Sequence, residues 1–401
     1  MAENKDKKVL NVPNIRFPEF KEEWKKCRLG EIGKLYKGVG ISKDQLSDNG
    51  EPCILYGELY TKYKSEVINE VISKTNISDT KLVRSNANDV IIPCSGETAE
   101  DIATARCVLN DNVLLGGDLN IIRLHKDNGL FMSYQLNGKR KYDIARVSQG
   151  VSVVHLYGEH LKGIKTYCPN LGEQNKIATF LSLLDERIAT QNKIIDKLES
   201  LIKGLNQKVF DRKGIILKLG DICNIKSGYS GNQIIKGELK VSRIETISNH
   251  RIDLERVGFV ENFKSSENYK LQVGDILFSN INSVEYIGNT AFVDKDYNLY
   301  HGMNLLRLIP RDKFVIPFYL YLLLNTKLML NYFKRICNKA VSQASINQTE
   351  LGKTIVNIPS LEEQKQICNA YQTLYKKIEN EKSLLSTLYQ QKQYLLRQMF
   401  I

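Results

Sequence analysis

The sequence predicts an α+β protein: two α/β globular domains, related by approximate twofold symmetry, separated by a pair of long antiparallel coiled-coil helices. Apolar residues recur at alternating four- and three-residue steps over residues 171–209, which is typical of a coiled-coil helix. The pattern returns from residue 361, at a shift of 190 residues. Short apolar runs bounded by Gly, Asp and Asn precede each long helix and predict the strands of two domains.

The first long helix has a heptad seam with one polar gap, at Gln191. Pro169 blocks helix upstream, and Asn170 with Glu173 predicts a capping box, in which each side chain accepts from a free amide at the helix start. The seam consists of Ile177, Leu181, Leu184, Ile188, Ile195, Leu198, Ile202, Leu205 and Val209.

The second long helix follows Pro359 and has polar gaps at Glu381 and Lys392. Its seam consists of Ile367, Tyr371, Leu374, Ile378, Leu385, Leu388, Leu395 and Met399. A helix of about 40 residues is about 60 Å long, so its apolar stripe requires a partner outside its own domain. The other copy is the nearest candidate, and a helix leaving one domain lies beside one returning from the other only if they run antiparallel. The alternative is one buried core helix in each half, although core helices rarely hold a seam for more than about five heptads.

The globular parts repeat as well, which predicts an internal duplication. The matching segments are 28–38 with 218–228, 88–92 with 274–278, 119–124 with 303–308, and Gly150-Val151-Ser152 with Ala340-Val341-Ser342. The predicted organisation is an extended segment at 1–23, domains at 24–170 and 213–360, and helices at 171–212 and 361–401. Residues 39–85 and 229–270 diverge although the elements beside them align. One scaffold with two different inserts suits a protein that reads two different things.

Bulk properties favour a polyanionic partner and an intracellular location. The formal net charge is +12, and the two long helices are nearly neutral, so the excess lies in the globular parts. A solvated basic surface without a partner is the alternative. The eight cysteines are scattered without a C-x-x-C pair, and we expect reduced, mostly buried thiols. No signal-like or membrane-length apolar run occurs, so export and membrane insertion are not expected.

The motifs of several enzymes are missing from the sequence. No two prolines are adjacent, which excludes the Asn/Asp-Pro-Pro-aromatic turn of DNA amino-methyltransferases. Gly352-Lys353-Thr354 has Asn347 where a phosphate loop needs glycine, and no dinucleotide fingerprint occurs. The five histidines are scattered, and we predict neither a metal site nor a catalytic residue.

The repeated features resemble a known family over nearly the whole chain: the specificity subunit of type I restriction-modification systems. The resemblance rests on the Pro-x-Ile-Arg-Phe-Pro-x-Phe opening at 13–20 with Trp24, the strand ending at Gly38, the Val-Ser loop, and Pro-x-Leu-x-Glu-Gln at each long helix. The second copy departs by Ala340 in place of Gly150 and by Tyr371-Gln372-Thr373 in place of Leu181-Ser182-Leu183.

The resemblance implies a non-catalytic DNA-binding subunit of a cytoplasmic bacterial or archaeal complex. Each target-recognition domain would read one half of an interrupted sequence in double-stranded DNA. The helices would space the domains and dock two methyltransferase subunits, and motor-nuclease restriction subunits would join the complex. S-adenosylmethionine, ATP and Mg would be used by those partners, with no cofactor in this chain. The alternatives are a coiled-coil scaffold that merely dimerises and, less favoured, an enzyme of unfamiliar type.

Candidate DNA contacts are basic and aromatic residues of the divergent loops, together with two basic clusters. Arginine pairs with guanine and side-chain amides pair with adenine, whereas lysine clusters more often hold phosphates. The candidates are Lys62, Lys64, Arg84, Lys139, Arg140, Lys141, Arg146, Tyr229, Arg243, Arg251, Lys264, Lys334, Arg335 and Lys339. Candidates for the helix seam and methyltransferase docking are Ile177, Leu181, Leu184, Ile188, Ile195, Leu198, Ile367, Leu374, Ile378, Leu385 and Leu388.

Overall fold

A computed structural model describes residues 10–78, 81–150, 153–209, 214–339 and 343–401, with only the backbone at 207–209. Residues 1–9 of the predicted extended segment, Val151-Ser152 and Ala340-Val341-Ser342 of the repeated loop, and the side chain of Val209 lie outside the described residues. The chain forms two compact units. Unit 1 comprises Met1–Lys193 with Lys382–Ile401, and unit 2 comprises Ile194–Glu381.

The elements of the first repeat are mostly short. Its strands are β1 (Lys25–Arg28), β2 (Gly33–Lys37), β3 (Leu46–Ser47), β4 (Glu51–Ile54), β5 (Val67–Ile68), β6 (Ser73–Thr75), β7 (Val83–Arg84), β8 (Asp89–Pro93), β9 (Ser95–Gly96), β10 (Arg106–Val108), β11 (Leu114–Leu115), β12 (Leu119–Leu124), β13 (Val154–His155) and β14 (Lys165–Cys168). Its helices are α1 (Leu29–Ile32), α2 (Glu58–Thr61), α3 (Ala99–Ile102), α4 (Gly129–Asn137), α5 (Lys141–Arg146), α6 (Gly158–Lys162) and α7 (Leu171–Val209).

The second repeat has a similar succession of elements. Its strands are β15 (Ile215–Lys218), β16 (Cys223–Ser227), β17 (Leu239–Val241), β18 (Gly258–Val260), β19 (Ile276–Ser279), β20 (Ile281–Asn282), β21 (Thr290–Phe292), β22 (Leu305–Pro310), β23 (Asn338–Lys339), β24 (Ala344–Ser345) and β25 (Ile355–Ile358). Its helices are α8 (Leu219–Ile222), α9 (Pro317–Leu324), α10 (Lys327–Ile336), α11 (Gln348–Gly352) and α12 (Leu361–Gln398).

The main sheets of the two units share one strand order, which confirms that the sequence repeat is structural. Unit 1 has β2-β12-β8-β10-β5, and unit 2 has β16-β22-β19-β21. A two-stranded ribbon accompanies each sheet, β1 with β14 in unit 1 and β15 with β25 in unit 2. The central strand β8 is buried on both faces, and so is β19. A second sheet, β3-β6-β4-β11-β7, is built from the divergent segment of unit 1 and its neighbours.

One ion pair recurs inside both main sheets. Arg123 on β12 binds Asp89 on β8 at 2.8 Å, and Arg307 on β22 binds Asp275, the residue before β19, at 2.6 Å. The same carboxylate oxygen, Oδ2, of each aspartate also accepts from the backbone N–H three residues earlier, at 2.8 Å for Asp89 and 2.6 Å for Asp275. Each aspartate therefore closes the turn before its strand and joins that strand to its neighbour.

The long helices pair antiparallel within each unit. In unit 1, Ile177 and Leu181 of α7 pack in one cluster with Leu396 and Met399 of α12, and Asp185, further along α7, binds Lys392, earlier on α12. In unit 2, the Tyr371 hydroxyl donates to Asn206 Oδ1 at 2.5 Å, and Ile202 shares a cluster with Ile378. The predicted antiparallel pair is confirmed in each unit.

The predicted seam is buried along both helices. On α7 the buried positions are Ile177, Leu181, Ile188, Ile195 and Ile202, and on α12 they are Ile367, Tyr371, Ile378, Leu388 and Met399. Leu184, Leu198, Leu205, Leu374, Leu385 and Leu395 are half-buried. The polar gaps Gln191, Glu381 and Lys392 are buried too, so they are internal polar contacts and not gaps opened to solvent.

The predicted capping box of α7 is half wrong. Asn170 Oδ1 accepts from the Glu173 amide at 2.9 Å as expected. The Glu173 carboxylate instead accepts from Arg16, at 2.7 and 2.8 Å, and from the Trp24 indole N–H at 3.2 Å. A full capping box forms at the second helix, between Ser360 and Glu363. In the first copy, the Glu173 carboxylate therefore binds the N-terminal segment instead of completing the helix cap.

The N-terminal segment packs on the end of α12 in unit 1. The Ile15 amide donates to the Gln398 carbonyl at 3.0 Å, and the buried Trp24 ring packs edge-on against Phe131 and Phe400. The long helices α7 and α12 begin at Leu171 and Leu361. Each helix is nevertheless divided between the units, because its two parts pack on different domains. Within the described residues, no helix is long and apolar enough to cross a membrane.

Candidate nucleic-acid interface

Each unit has an open cleft at the same place in its repeated frame, beside the end of the first main-sheet strand. The first cleft is lined by residues 40–46 after β2, by 55–62 around α2, and by Gly117 and Asp118 before β12. The second cleft is lined by residues 230–233 after β16, by 243–245, and by Met303 and Asn304 before β22. Both clefts therefore lie between the loop that leaves the first strand and the loop that enters its sheet neighbour.

A pair of glycines makes this arrangement possible in both units. A Cβ atom on Gly38 would lie 2.0 Å from the Gly116 carbonyl oxygen, and one on Gly228 would lie 1.8 Å from the Gly302 carbonyl oxygen. Only glycine permits so close an approach of two backbones. The duplicated glycines therefore allow the backbones of the two loops to meet beside each cleft.

The cleft loops also contain backbone in the left-handed region. Ile41 and Asp118 have φ of 65° and 56° in the first cleft, and Asn304 has φ of 65° in the second. A β-branched residue adopts this conformation at a cost of about 1–3 kcal/mol. Such strain clusters at functional loops, where the surrounding structure enforces it.

The first cleft has one internally neutralised pair and several free polar groups. The buried carboxylate of Glu58 accepts from Lys62 at 2.6 Å, from Ser73 at 2.5 Å and from the Leu55 amide at 3.0 Å. The charge of Lys62 is therefore already balanced. Lys43 is exposed at the cleft and forms no ion pair within the described residues.

The second cleft combines a guanidinium with three side-chain amides. Arg243, Asn232, Gln233 and Asn304 line it, and Arg243 Nε lies 3.6 Å from the Glu245 carboxylate, an exposed and weak pair. Arginine and amides are the side chains that pair bidentately with guanine and adenine in the major groove. His301, next to Gly302, adds no charge at neutral pH, because burial lowers its pKa to about 4.

Of the predicted DNA-contacting residues, Lys62 and Arg243 line the clefts. Several of the others have partners elsewhere in their unit, and the pairs of Arg84 and Arg251 are as exposed as that of Arg243. Arg84 binds Glu51 at 2.5 Å, Arg140 binds Asp143 at 2.8 Å and the carbonyl of Ile401, and Arg251 lies 3.7 Å from Glu379. The Tyr229 ring stacks on Phe263 with ring centroids 4.0 Å apart.

The remaining predicted contacts lie away from the clefts. Lys64, Lys139, Arg146, Lys264, Arg335 and Lys339 are exposed, and Lys141 and Lys334 are half-buried. The guanidinium of Arg146 lies over the Tyr142 ring, and that of Arg335 over the Tyr332 ring. These residues stay predicted DNA contacts, and the basic cluster at 139–141 is divided by the structural role of Arg140.

The residues that sequence reasoning missed are four side-chain amides and one lysine. Asn232, Gln233 and Asn304, together with Lys43 and Gln45, follow or face the duplicated glycines. Their positions relative to Gly38 and Gly228 are visible in the sequence, but basic and aromatic side chains are the stronger sequence signal for DNA contact.

All eight cysteines are free and buried, as predicted, and burial raises the pKa of Cys53 to about 11 and that of Cys107 to about 12. Among the described residues, no group of three His, Cys, Asp or Glu side chains is placed to hold a metal ion.

Comparison with known proteins decides the family. The sequence model of the type I restriction modification DNA specificity domain matches twice, at residues 21–200 and 216–390. The chain belongs to this family. Its two matches coincide with the two repeats, so the chain contains two specificity domains, and one of the two equivalent clefts lies in each.

Relatives and solved structures of this family are similar over different lengths. The type I restriction enzyme MjaVIII specificity subunit of Methanocaldococcus jannaschii is 24% identical over 94% of this chain and 91% of its own length. A putative MjaX specificity subunit from the same organism is 48% identical, but over 32% of this chain and 31% of its own length. The crystal structure of a type I restriction-modification S subunit from M. genitalium aligns with a TM-score of 0.59 and 18% identity, covering 97% of this chain and 99% of that one. A chain from a structure of the assembling type I R-M system aligns with a TM-score of 0.59 and 17% identity over 94% and 97%. These structures share the fold of this specificity protein.

Proposed function

We propose that this specificity protein reads a bipartite sequence in double-stranded DNA, one half with each cleft. The observation that carries the proposal is the pair of equivalent clefts, which lie beside the same glycine contact and differ in nearly every lining side chain. Recognition of two different half-sites requires the same scaffold with a different set of side chains in each cleft. The family membership supports DNA as the ligand.

The side chains of the second cleft suit direct reading of base edges. Arg243 presents a planar fork of donors for guanine, and Asn232, Gln233 and Asn304 each present a donor and an acceptor for adenine. The exposed lysines Lys139, Lys264 and Lys339 would contact phosphates, which position the protein without reading sequence. The excess of positive charge in the globular parts supports this division.

The long helices would set the distance between the half-sites and dock two methyltransferase subunits. Because the seam is buried, the docking surface must be the exposed side of the helices, where Phe180, Leu183, Tyr389 and Tyr394 are 41–58% exposed. The chain would have no catalytic role of its own. S-adenosylmethionine, ATP and Mg would be used by methyltransferase and restriction subunits, in the cytoplasm of a bacterium or archaeon.

The test is adenine-methylation sequencing of a methylation-free host that expresses this chain with its methyltransferase. The proposal predicts one interrupted motif with two defined halves, and Arg243→Ala should relax one half and leave the other unchanged. Lys264→Ala, in the same domain, should weaken methylation without changing the motif. A contiguous motif, or methylation that does not depend on this chain, would refute the proposal and favour a scaffold.

A further inference from the structure

A buried ion-pair network joins the last part of α12 to the first domain, away from the cleft. The Lys392 ammonium binds Asp185 at 2.5 Å and also binds Glu66, and both carboxylates are almost fully buried. The Tyr134 hydroxyl donates to Asp185 at 2.7 Å, and the Ser65 hydroxyl donates to the same oxygen at 2.9 Å. Burial lowers the pKa of Lys392, but the two carboxylates outweigh it, so the pKa is raised and the ammonium stays charged.

This network reaches the wall of the first cleft through a few residues. Glu66 immediately precedes β5, and its carbonyl accepts from the Cys107 amide at 2.8 Å. The buried Arg106 guanidinium donates to the carbonyls of Leu59 at 3.1 Å and Tyr63 at 2.9 Å. The segment from Glu58 to Glu66 is therefore fixed at its start, its middle and its end. That segment contains α2, which forms one wall of the first cleft.

Among the residues that the structure describes, the second domain has no equivalent network. At the shift of 190 residues, Asp185 corresponds to Tyr375 and Lys392 corresponds to Ile202, and both of these pack in the apolar cluster of unit 2. The strand order of unit 2 ends at β21 within the described residues, without a counterpart of β5. The connection between spacer helix and cleft wall is thus particular to the first domain.

We propose that Lys392 is a positioning residue for the first half-site: through Glu66 and Asp185 it fixes the cleft wall relative to the spacer helices. A buried ion pair seldom adds stability over neutral side chains of similar shape, but it accepts only one arrangement of its partners. The inference rests on the proposed reading of DNA by the two clefts. It adds that recognition of the first half-site depends on a residue of α12 that lies outside the cleft.

The test uses the full chain with its methyltransferase and the neutral variant Lys392→Met/Glu66→Gln/Asp185→Asn. All three charges are removed together, because loss of Lys392 alone would leave two carboxylates buried without a cation. The half-site changed by Arg243→Ala belongs to the second domain, and the other belongs to the first. We expect discrimination at the first half-site to fall by about tenfold at one or more positions, with the second half-site and the spacer unchanged.

Two controls separate positioning from general stability. Lys392→Arg keeps the charge and should retain recognition of the first half-site. Tyr371→Phe removes a helix-to-helix hydrogen bond of unit 2 and should also leave the first half-site unchanged. Should the triple variant fail to fold, Glu66→Gln alone tests the same wall and should relax the same half-site. Equal loss at both half-sites, or no change at either, would overturn the inference. Absence of a bipartite motif with the unmodified chain would instead refute the proposed function.

Discussion

At the residue scale, the duplicated ion pair offers a direct comparison of burial in one frame. Arg307 and Asp275 are 7% and 3% exposed, whereas Arg123 of the equivalent pair is 32% exposed. We predict that Arg307→Met lowers the free energy of unfolding by about 3–5 kcal/mol, because it leaves a buried carboxylate without its cation. Arg123→Met should cost less, since water reaches that pair. Thermal or urea unfolding of the two variants measures the difference.

The stability of the Arg307→Met variant should also depend on pH. Burial raises the pKa of Asp275, and the Gln272 amide and Arg307 only partly offset it. Removing Arg307 should raise this pKa further, so the unfolded state releases its proton at a lower pH than the folded state does. The loss of stability in Arg307→Met should therefore grow as the pH rises above the ordinary pKa of an aspartate, and it should be largely relieved in Arg307→Met/Asp275→Asn. A deficit independent of pH would show that lost packing, not the carboxylate, is responsible.

Single side chains were the hardest part to predict from the sequence. Asp89 and Arg123 stood in matching segments of both repeats, but nothing local indicated that they bind each other. Arg140 and Lys392 meet partners 261 and 326 residues away, so their charges looked free in the sequence. The amides at the clefts carry no charge pattern at all, and only the fold brings Asn232 beside Asn304.

At the element scale, Gly228 beside the second cleft and Gly204 in α7 allow two matched substitutions by alanine. We predict that Gly228→Ala destabilises unit 2 and opens the second cleft, because the new Cβ would lie 1.8 Å from a carbonyl oxygen. Gly204→Ala, in α7, has no atom within 4 Å of the new Cβ and should stabilise the chain by about 0.5–1 kcal/mol. Unfolding measurements and methylation of the second half-site report the two effects. A mild Gly228→Ala variant that keeps its half-site would show that the close approach is not needed.

Elements were predicted better than side chains because periodicity is a local signal. The apolar periodicity predicted both long helices, and the prolines at 169 and 359 predicted where they start. The order of domains and helices along the chain predicted their antiparallel pairing. The capping box at Glu173 was half wrong because Arg16 and Trp24, distant in sequence, compete for the carboxylate. The short strands around the divergent segments depend on tertiary pairing, so the sequence indicated their class and not their register.

At the scale of the whole molecule, the central claim is that paired helices fix the distance between two reading clefts. Since α7 and α12 pair antiparallel in both units, one helix cannot be lengthened without displacing the other. The decisive variant therefore inserts four residues in both helices, after Lys193 and after Glu381, where the compact units meet in sequence. Four residues add about 6 Å and nearly one full turn, and this matches about two base-pair steps of DNA.

Adenine-methylation sequencing of cells that carry the double insertion tests this claim most directly. A matched control inserts two residues at the same places, which turns each helix by about 200° and should abolish specific methylation. With four residues, we expect the unspecified spacer to grow by about one or two base pairs while both half-sites keep their sequence. A spacer of unchanged length, with both half-sites still methylated, would contradict it and assign the spacing to the methyltransferase partners.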